Sequence, residues 1–159
     1  MRLVRRLLDH VVSVVRDCGL PIVILASNEV PDVDGVQVWQ DARTGLNGAV
    51  DAALQRLGAP VIVIHADLPL LAPTDVDQVL ASEGDVVIAR ARDGGTNGLL
   101  MRRLITPLFG PSSAASHAAR ARGAGLRTHV LDIPGFALDV DDETSLSASG
   151  AASVLDTRP

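Results

Sequence analysis

With 159 residues, 47% of them hydrophobic and 21% charged, the chain has the length and composition of one globular domain. A single cysteine, Cys18, excludes a disulfide framework and a cysteine-based zinc cluster. A formal charge of −5 and an aromatic content of 2% exclude the basic face and the stacking platforms that nucleic-acid binding requires.

In chain order, Leu3, Val4, Leu7, Leu8, Val11, Val12 and Val15 recur at steps of three and four and predict an amphipathic helix. Asp9, His10, Ser13 and Arg16 interrupt its apolar run, so the segment is neither an export signal nor a membrane span, and a cytoplasmic location is expected. Residues 22–26 read as a short buried strand. Residues 47–57 have helical period, with Val50, Ala53, Leu54 and Leu57 on one face, and 61–65 read as a second buried strand. Thr74 is placed to cap a helix whose apolar face is Val76, Val79 and Leu80. A strand at 85–89, a helix at 113–122, a strand at 128–131 and an alternating strand at 137–141 complete the pattern, and the small, polar tail from Ser147 is expected to fray. Strands alternating with helices imply a largely parallel sheet covered on both faces, with ligands outside the carboxyl ends of the strands. No repeat or linker divides residues 1–159, which read as one domain.

Three places carry chemistry. Asp67 follows the 61–65 strand and precedes Pro69, which puts a carboxylate at the expected ligand crevice; an Asp capping the next turn fits the same residues. Asp139 and Asp141 lie two apart, so in a strand they share a face. A hard divalent cation such as Mg²⁺ would relieve their repulsion, and a solvated edge strand would also accommodate them. Finally, Arg43-Thr44-Gly45-Leu46-Asn47-Gly48, Asp93-Gly94-Gly95-Thr96-Asn97-Gly98 and Phe109-Gly110-Pro111-Ser112-Ser113 are loops that either present backbone N–H groups to an anion or base, or serve as plain turns and helix caps.

Taken together, GLNGAV, HADLPLL, GGTNGLL, FGPSSAASH and ALDVDDE resemble the guanylyltransferases that activate 2-phospho-L-lactate or phosphoenolpyruvate in biosynthesis of the deazaflavin coenzyme F(420). The resemblance implies an α/β, three-layer sandwich of the nucleotide-diphospho-sugar transferase type with a mixed, mostly parallel sheet. It implies that the acid's phosphate attacks the α-phosphorus of GTP and releases diphosphate, with no nucleic acid or membrane as partner. It further implies that Asp67, Asp139 and Asp141 are the catalytic carboxylates that bind Mg²⁺, that Thr96, Asn97, Gly110 and Ser113 hold the phosphorylated acid, and that Gly45, Leu46 and Asn47 face the nucleotide. His117 lies in a matching segment and is open to a catalytic or a structural reading; His10, His65 and His129 are expected to be structural. The sequence does not choose between the two acids or set an oligomeric state.

Members of that family begin with a strand and a Pro-Lys loop that contacts the triphosphate. Here Met1 falls inside the helix that follows, and all 14 basic residues are arginine. A start site placed too far downstream, or a shortened relative that has lost an internal strand, are the two expectations. In the second case neighbouring strands lose ladder partners. In either case only Arg43 and Arg92 lie near the candidate loops, so little guanylylation by the 159-residue chain is expected, with activity restored by an upstream extension if an open frame permits. A catalytically impaired, nucleotidyltransferase-like binding domain is the alternative function.

Overall fold

The computed structural model describes residues 2–27, 33–40 and 44–140. The chain runs α1 (Arg2–Asp17), β1 (Val23–Ala26), β2 (Gln37–Gln40), α2 (Gly45–Leu57), β3 (Val61–Ile64), α3 (Pro73–Ala81), β4 (Val86–Arg90), β5 (Thr96–Met101), α4 (Ser113–Gly123), β6 (Thr128–Leu131) and α5 (Pro134–Ala137). Strands β3-β5-β4-β6 form a four-stranded sheet, and β1 and β2 pair parallel in a two-stranded one. In the larger sheet β4 and β6 are parallel while β5 runs antiparallel to both β3 and β4, so the sheet is mixed.

Side-chain alternation along the central strands builds two cores, one on each face of the sheet. Val87 and Ala89 of β4 and Leu100 of β5 meet Val11, Val14 and Val15 of α1, Val76 and Val79 of α3, and Phe136 of α5. The other face of the same strands, Val86, Ile88, Leu99 and Met101, meets Val50 and Leu54 of α2 and Ala114, Ala118 and Ala121 of α4. The result is a three-layer α/β sandwich. Gly98 is required in β5 by close approach: a Cβ there would lie 2.7 Å from Phe136 Cε1 and 3.1 Å from Ala89 Cβ. No helix among the described residues is long and apolar enough to cross a membrane.

Several sequence expectations need correction. The 61–65 strand ends at Ile64, and β3 is only partly buried because it forms an edge of the four-stranded sheet. Strand β5 stands where the sequence suggests a loop, since Ala91–Gly95 closes a hairpin through the Ala91 N–H on Gly95 O at 2.9 Å. Thr74 does not cap α3; the cap is Ala72, Pro73 occupies the first helical turn, and the Asp75 carboxylate accepts the Ala72 N–H at 2.8 Å. Helix α2 starts at Gly45, two residues before the expected start, and β2 has no counterpart in the sequence pattern. The alternating strand at 137–141 is replaced by α5 and by residues 138–140 outside any strand, although Leu138 is extended at φ −124°, ψ 118°. Asp141, Arg43 and the tail from Ser147 lie outside the described residues.

Candidate functional site

The carboxyl ends of β3 and β4 lie beside the amino end of β5, because Ile64 pairs with Gly98 and Arg90 with Thr96. A cleft of about 420 Å³ opens there. One wall is Thr96 and Asn97 with His65. A second is the segment Phe109 to Ser113, which leads into α4, and Leu46 of α2 and Asp139 also line the cleft.

The turn into α4 is conformationally unusual. Gly110 adopts φ 142° and Ser112 adopts the left-handed φ 55°, ψ 26°. A non-glycine residue held there costs on the order of 1–3 kcal/mol, which is the kind of strain that collects at ligand sites. The segment is clipped from outside by Asn47, whose Nδ2 donates to Phe109 O at 3.0 Å while its Oδ1 accepts the Phe109 N–H at 2.7 Å.

Beneath the turn lies a buried polar network. Ser113 Oγ donates to Thr96 Oγ1 at 3.0 Å, and Thr96 Oγ1 is 2.9 Å from His117 Nδ1. His117 Nε2 accepts the Leu108 N–H at 2.8 Å. Ser113 and His117 are four residues apart on α4 and therefore share the face turned to β5. Burial, followed by the nearby Arg120 and His65, pushes the His117 imidazole down to about 4, so the ring is neutral at pH 7. Phe109 packs between two imidazoles, at 4.9 Å from His117 edge-on and 5.2 Å from His65. Phosphoryl or carboxylate oxygens would find hydroxyls and the amino end of α4 at this wall.

One of the expected carboxylates reaches the cleft. The Val140 N–H donates to Asp67 O at 3.0 Å, so the segment carrying Asp139 runs beside the residue after which β3 has ended. Asp139 is exposed and lines the cleft, whereas Asp67 is half-buried and is not among the lining residues. Among the described residues no three acidic, histidine or cysteine side chains gather as a metal cluster.

The structure thus brings Leu46, Thr96, Asn97, Gly110, Ser113 and Asp139 to one cleft, with Asp67 adjoining. Gly45 and Asn47 do not line it. Gly45 opens α2, and both polar ends of Asn47 are taken by Phe109. The Asn97 amide nitrogen likewise donates to Phe136 O at 3.0 Å. Arg92 is exposed at a second hollow, of about 670 Å³, bordered by the Arg90–Asp132 ion pair. The sequence names Asp93 and Phe109 only as loop positions and reads His65 as structural, yet all three line the cleft. His65 was within reach, since it stands two residues before Asp67 at the same strand end.

The chain matches a family model described as "Guanylyl transferase CofC like" over residues 1–148. It is 35% identical over 147 residues to the 2-phospho-L-lactate guanylyltransferase of Archaeoglobus fulgidus, covering 91% of this chain and 68% of that protein. With the enzyme of the same name from Halobacterium salinarum it shares 36% over 141 residues, covering 88% and 67%. With the phosphoenolpyruvate guanylyltransferase of Roseiflexus castenholzii it shares 34% over 125 residues, covering 76% and 59%. The chain therefore spans about two thirds or less of the length of these relatives. Among solved structures, a Desulfovibrio desulfuricans protein assigned as a nucleotide-diphospho-sugar transferase superposes with a TM-score of 0.75 at 16% identity, over 98% of this chain and 81% of that one. The 2-C-methyl-D-erythritol 4-phosphate cytidylyltransferase of Thermus thermophilus superposes with a TM-score of 0.60 at 17% identity, over 95% and 89%. These likenesses show the fold that the sequence resemblance implied.

Proposed function

We propose that this chain, which belongs to the family of CofC-like guanylyl transferases, transfers GMP from GTP to the phosphate of 2-phospho-L-lactate or phosphoenolpyruvate in deazaflavin coenzyme biosynthesis. The observation that carries the reading is the cleft itself: the hydroxyl pair of Thr96 and Ser113 and the carboxylate of Asp139 line one cleft, and the backbone next to Asp139 is bonded to Asp67. The relatives' names supply the substrates, and the cleft supplies groups that suit them.

In this reading Thr96, Ser113 and the turn at Gly110 bind the phosphorylated acid, while Leu46 and the start of α2 at Gly45 lie on the nucleotide side. Asn47 acts through Phe109, whose backbone it holds. An oxygen of the acid's phosphate bonds to the α-phosphorus of GTP as the bond to the β-phosphate oxygen breaks, and diphosphate leaves with the electron pair. No protein nucleophile takes part, and the work of the chain is to position two polyanions.

The donor set suits Mg²⁺, which is commonly held by one or two carboxylates together with substrate phosphates. Asp67 and Asp139 would hold it, with Asp141 as the third carboxylate assigned by the resemblance. Bound there, the ion would offset triphosphate charge that the acidic side chains of the cleft, Asp93 and Asp139, cannot offset.

Diphosphate release by the purified chain with GTP, Mg²⁺ and each acid in turn tests the proposal. Acid-dependent release would bear the proposal out and overturn the sequence-based expectation of little guanylylation by the 159-residue chain. Failure to bind either acid or GTP would refute it, and acid binding without release would identify a nucleotidyltransferase-like binding domain instead.

A further inference from the structure

The hydrogen-bond network under the cleft can be solved for its protons. Leu108 N–H is a fixed backbone donor aimed at His117 Nε2 at 2.8 Å, so Nε2 is the bare nitrogen. The single proton of a neutral imidazole then sits on Nδ1 and is donated to Thr96 Oγ1 at 2.9 Å. Thr96 and Ser113 together own two hydroxyl hydrogens, and one is used in the 3.0 Å bond between them. With Nδ1 acting as donor, the other hydrogen has no acceptor in this network. Thr96 is 2% and Ser113 1% exposed, and both line the cleft.

We propose that His117 is a positioning residue that, as the Nδ1–H tautomer, turns the one unspent hydroxyl hydrogen of the Thr96–Ser113 pair toward an anionic oxygen of the ligand in the cleft. The opposite tautomer would set Nε2–H against Leu108 N–H and draw the Thr96 hydrogen back to a bare Nδ1, leaving the wall with acceptors only. An acceptor-only wall repels a phosphate or carboxylate. The burial that keeps the ring uncharged serves the same end, because an imidazolium would also place N–H against N–H. The ligand named here, a phosphorylated three-carbon acid, rests on the function proposed above; the tautomer does not.

Two substitutions divide the ring's tasks. H117Q keeps an acceptor near the Nε2 position for Leu108 and loses the Nδ1 donor. H117N keeps a donor near the Nδ1 position and loses the acceptor. For the full chain, H117Q is expected to weaken phosphoenolpyruvate and 2-phospho-L-lactate binding about tenfold, measured by titration calorimetry, with GTP affinity and thermal midpoint held. H117N is expected to lower the thermal midpoint while binding the acids more tightly than H117Q. Nitrogen-15 shifts of the wild-type imidazole should report Nδ1–H. Equal loss of acid and GTP affinity in H117Q, undiminished acid binding in H117Q, or an Nε2–H imidazole would overturn the positioning role. Absence of acid binding by the wild-type chain would overturn the acid-site reading itself, and the imidazole shifts would still decide the tautomer.

Discussion

Replacing Asn47 by Ala separates two jobs that the sequence left together. The resemblance assigns Asn47 to the nucleotide side, whereas the structure shows its amide bonded at both ends to the Phe109 backbone, at 3.0 and 2.7 Å. A net worth of roughly 0.5–1.5 kcal/mol for each bond puts the loss in N47A at about 1–3 kcal/mol, with Phe109 N–H and C=O left to find other partners. For a domain of this size that corresponds to a fall in thermal midpoint of roughly 4–8 °C at the middle of the range. Phe109 packs between His65 and His117, so its release should reach the hydroxyl wall before it reaches Leu46. Thermal unfolding followed by far-UV circular dichroism, with KM for acid and for GTP measured separately, gives the readout. The expected result is a lowered midpoint with a larger rise in KM for the acid than for GTP. An unchanged midpoint together with a raised KM for GTP alone would show that Asn47 contacts the nucleotide and that its bonds to Phe109 contribute nothing measurable.

Three further outcomes are expected. D139N should raise the half-saturating Mg²⁺ concentration for turnover by at least roughly tenfold, the lower end of the cost of disturbing a metal site; an unchanged Mg²⁺ titration removes Asp139 from the site. G98A should destabilise the fold by about 1–3 kcal/mol in urea titration, because the added methyl meets Phe136 and Ala89 in a packed interior; a neutral effect would mean that α5 yields freely. His117 titrates near 4 when folded and near 6.5 when unfolded, so below pH 6.5 the unfolded chain gains a proton that the native one refuses. Stability should therefore fall as pH drops from about 6.5 toward 4 and be flat in this term above 6.5, and the slope should be shallower in H117Q than in wild type.

Local periodicity was legible wherever one face of an element is buried. Helix α1 was recovered nearly to its ends because Leu7, Val11 and Val15 repeat at helical steps, and the helix expected at 113–122 matches α4 within one residue. Strand β5 was not, because its six residues are buried on both faces, carry no alternation and include Gly98. The segment around Asp139 shows the limit from the other side. Its alternation correctly signalled extended backbone at Leu138, yet a ladder partner is a property of the whole sheet and no local pattern encodes it. For Asp139 and Asp67 the structure gives a backbone contact one residue away, the Val140 N–H on Asp67 O, which no local pattern announces. The His117 network was beyond reach, since it exists only once α4 is known to pack on β5.

The antiparallel direction of β5 is what gives the cleft its chemistry. In a wholly parallel sheet the site end collects only the residues that follow each strand, as His65 and Asp67 follow β3. A reversed strand brings its first residues there instead, and the first residues of β5 are Thr96 and Asn97. The hairpin at 91–95 sets this arrangement, turning the chain back from β4 within five residues. Thr96 is consequently a strand residue with a ladder partner, Arg90, and its hydroxyl is held from below by a helix that comes later in the chain. Loop residues at the same place would depend on their own turn for orientation. The hydroxyl wall is thereby built on a rigid element, while the strained residue of the site is Ser112, in the turn that Gly110 opens. Affinity for the acid should accordingly respond more to substitutions that move this turn, such as N47A, than to exposed-face changes on β3.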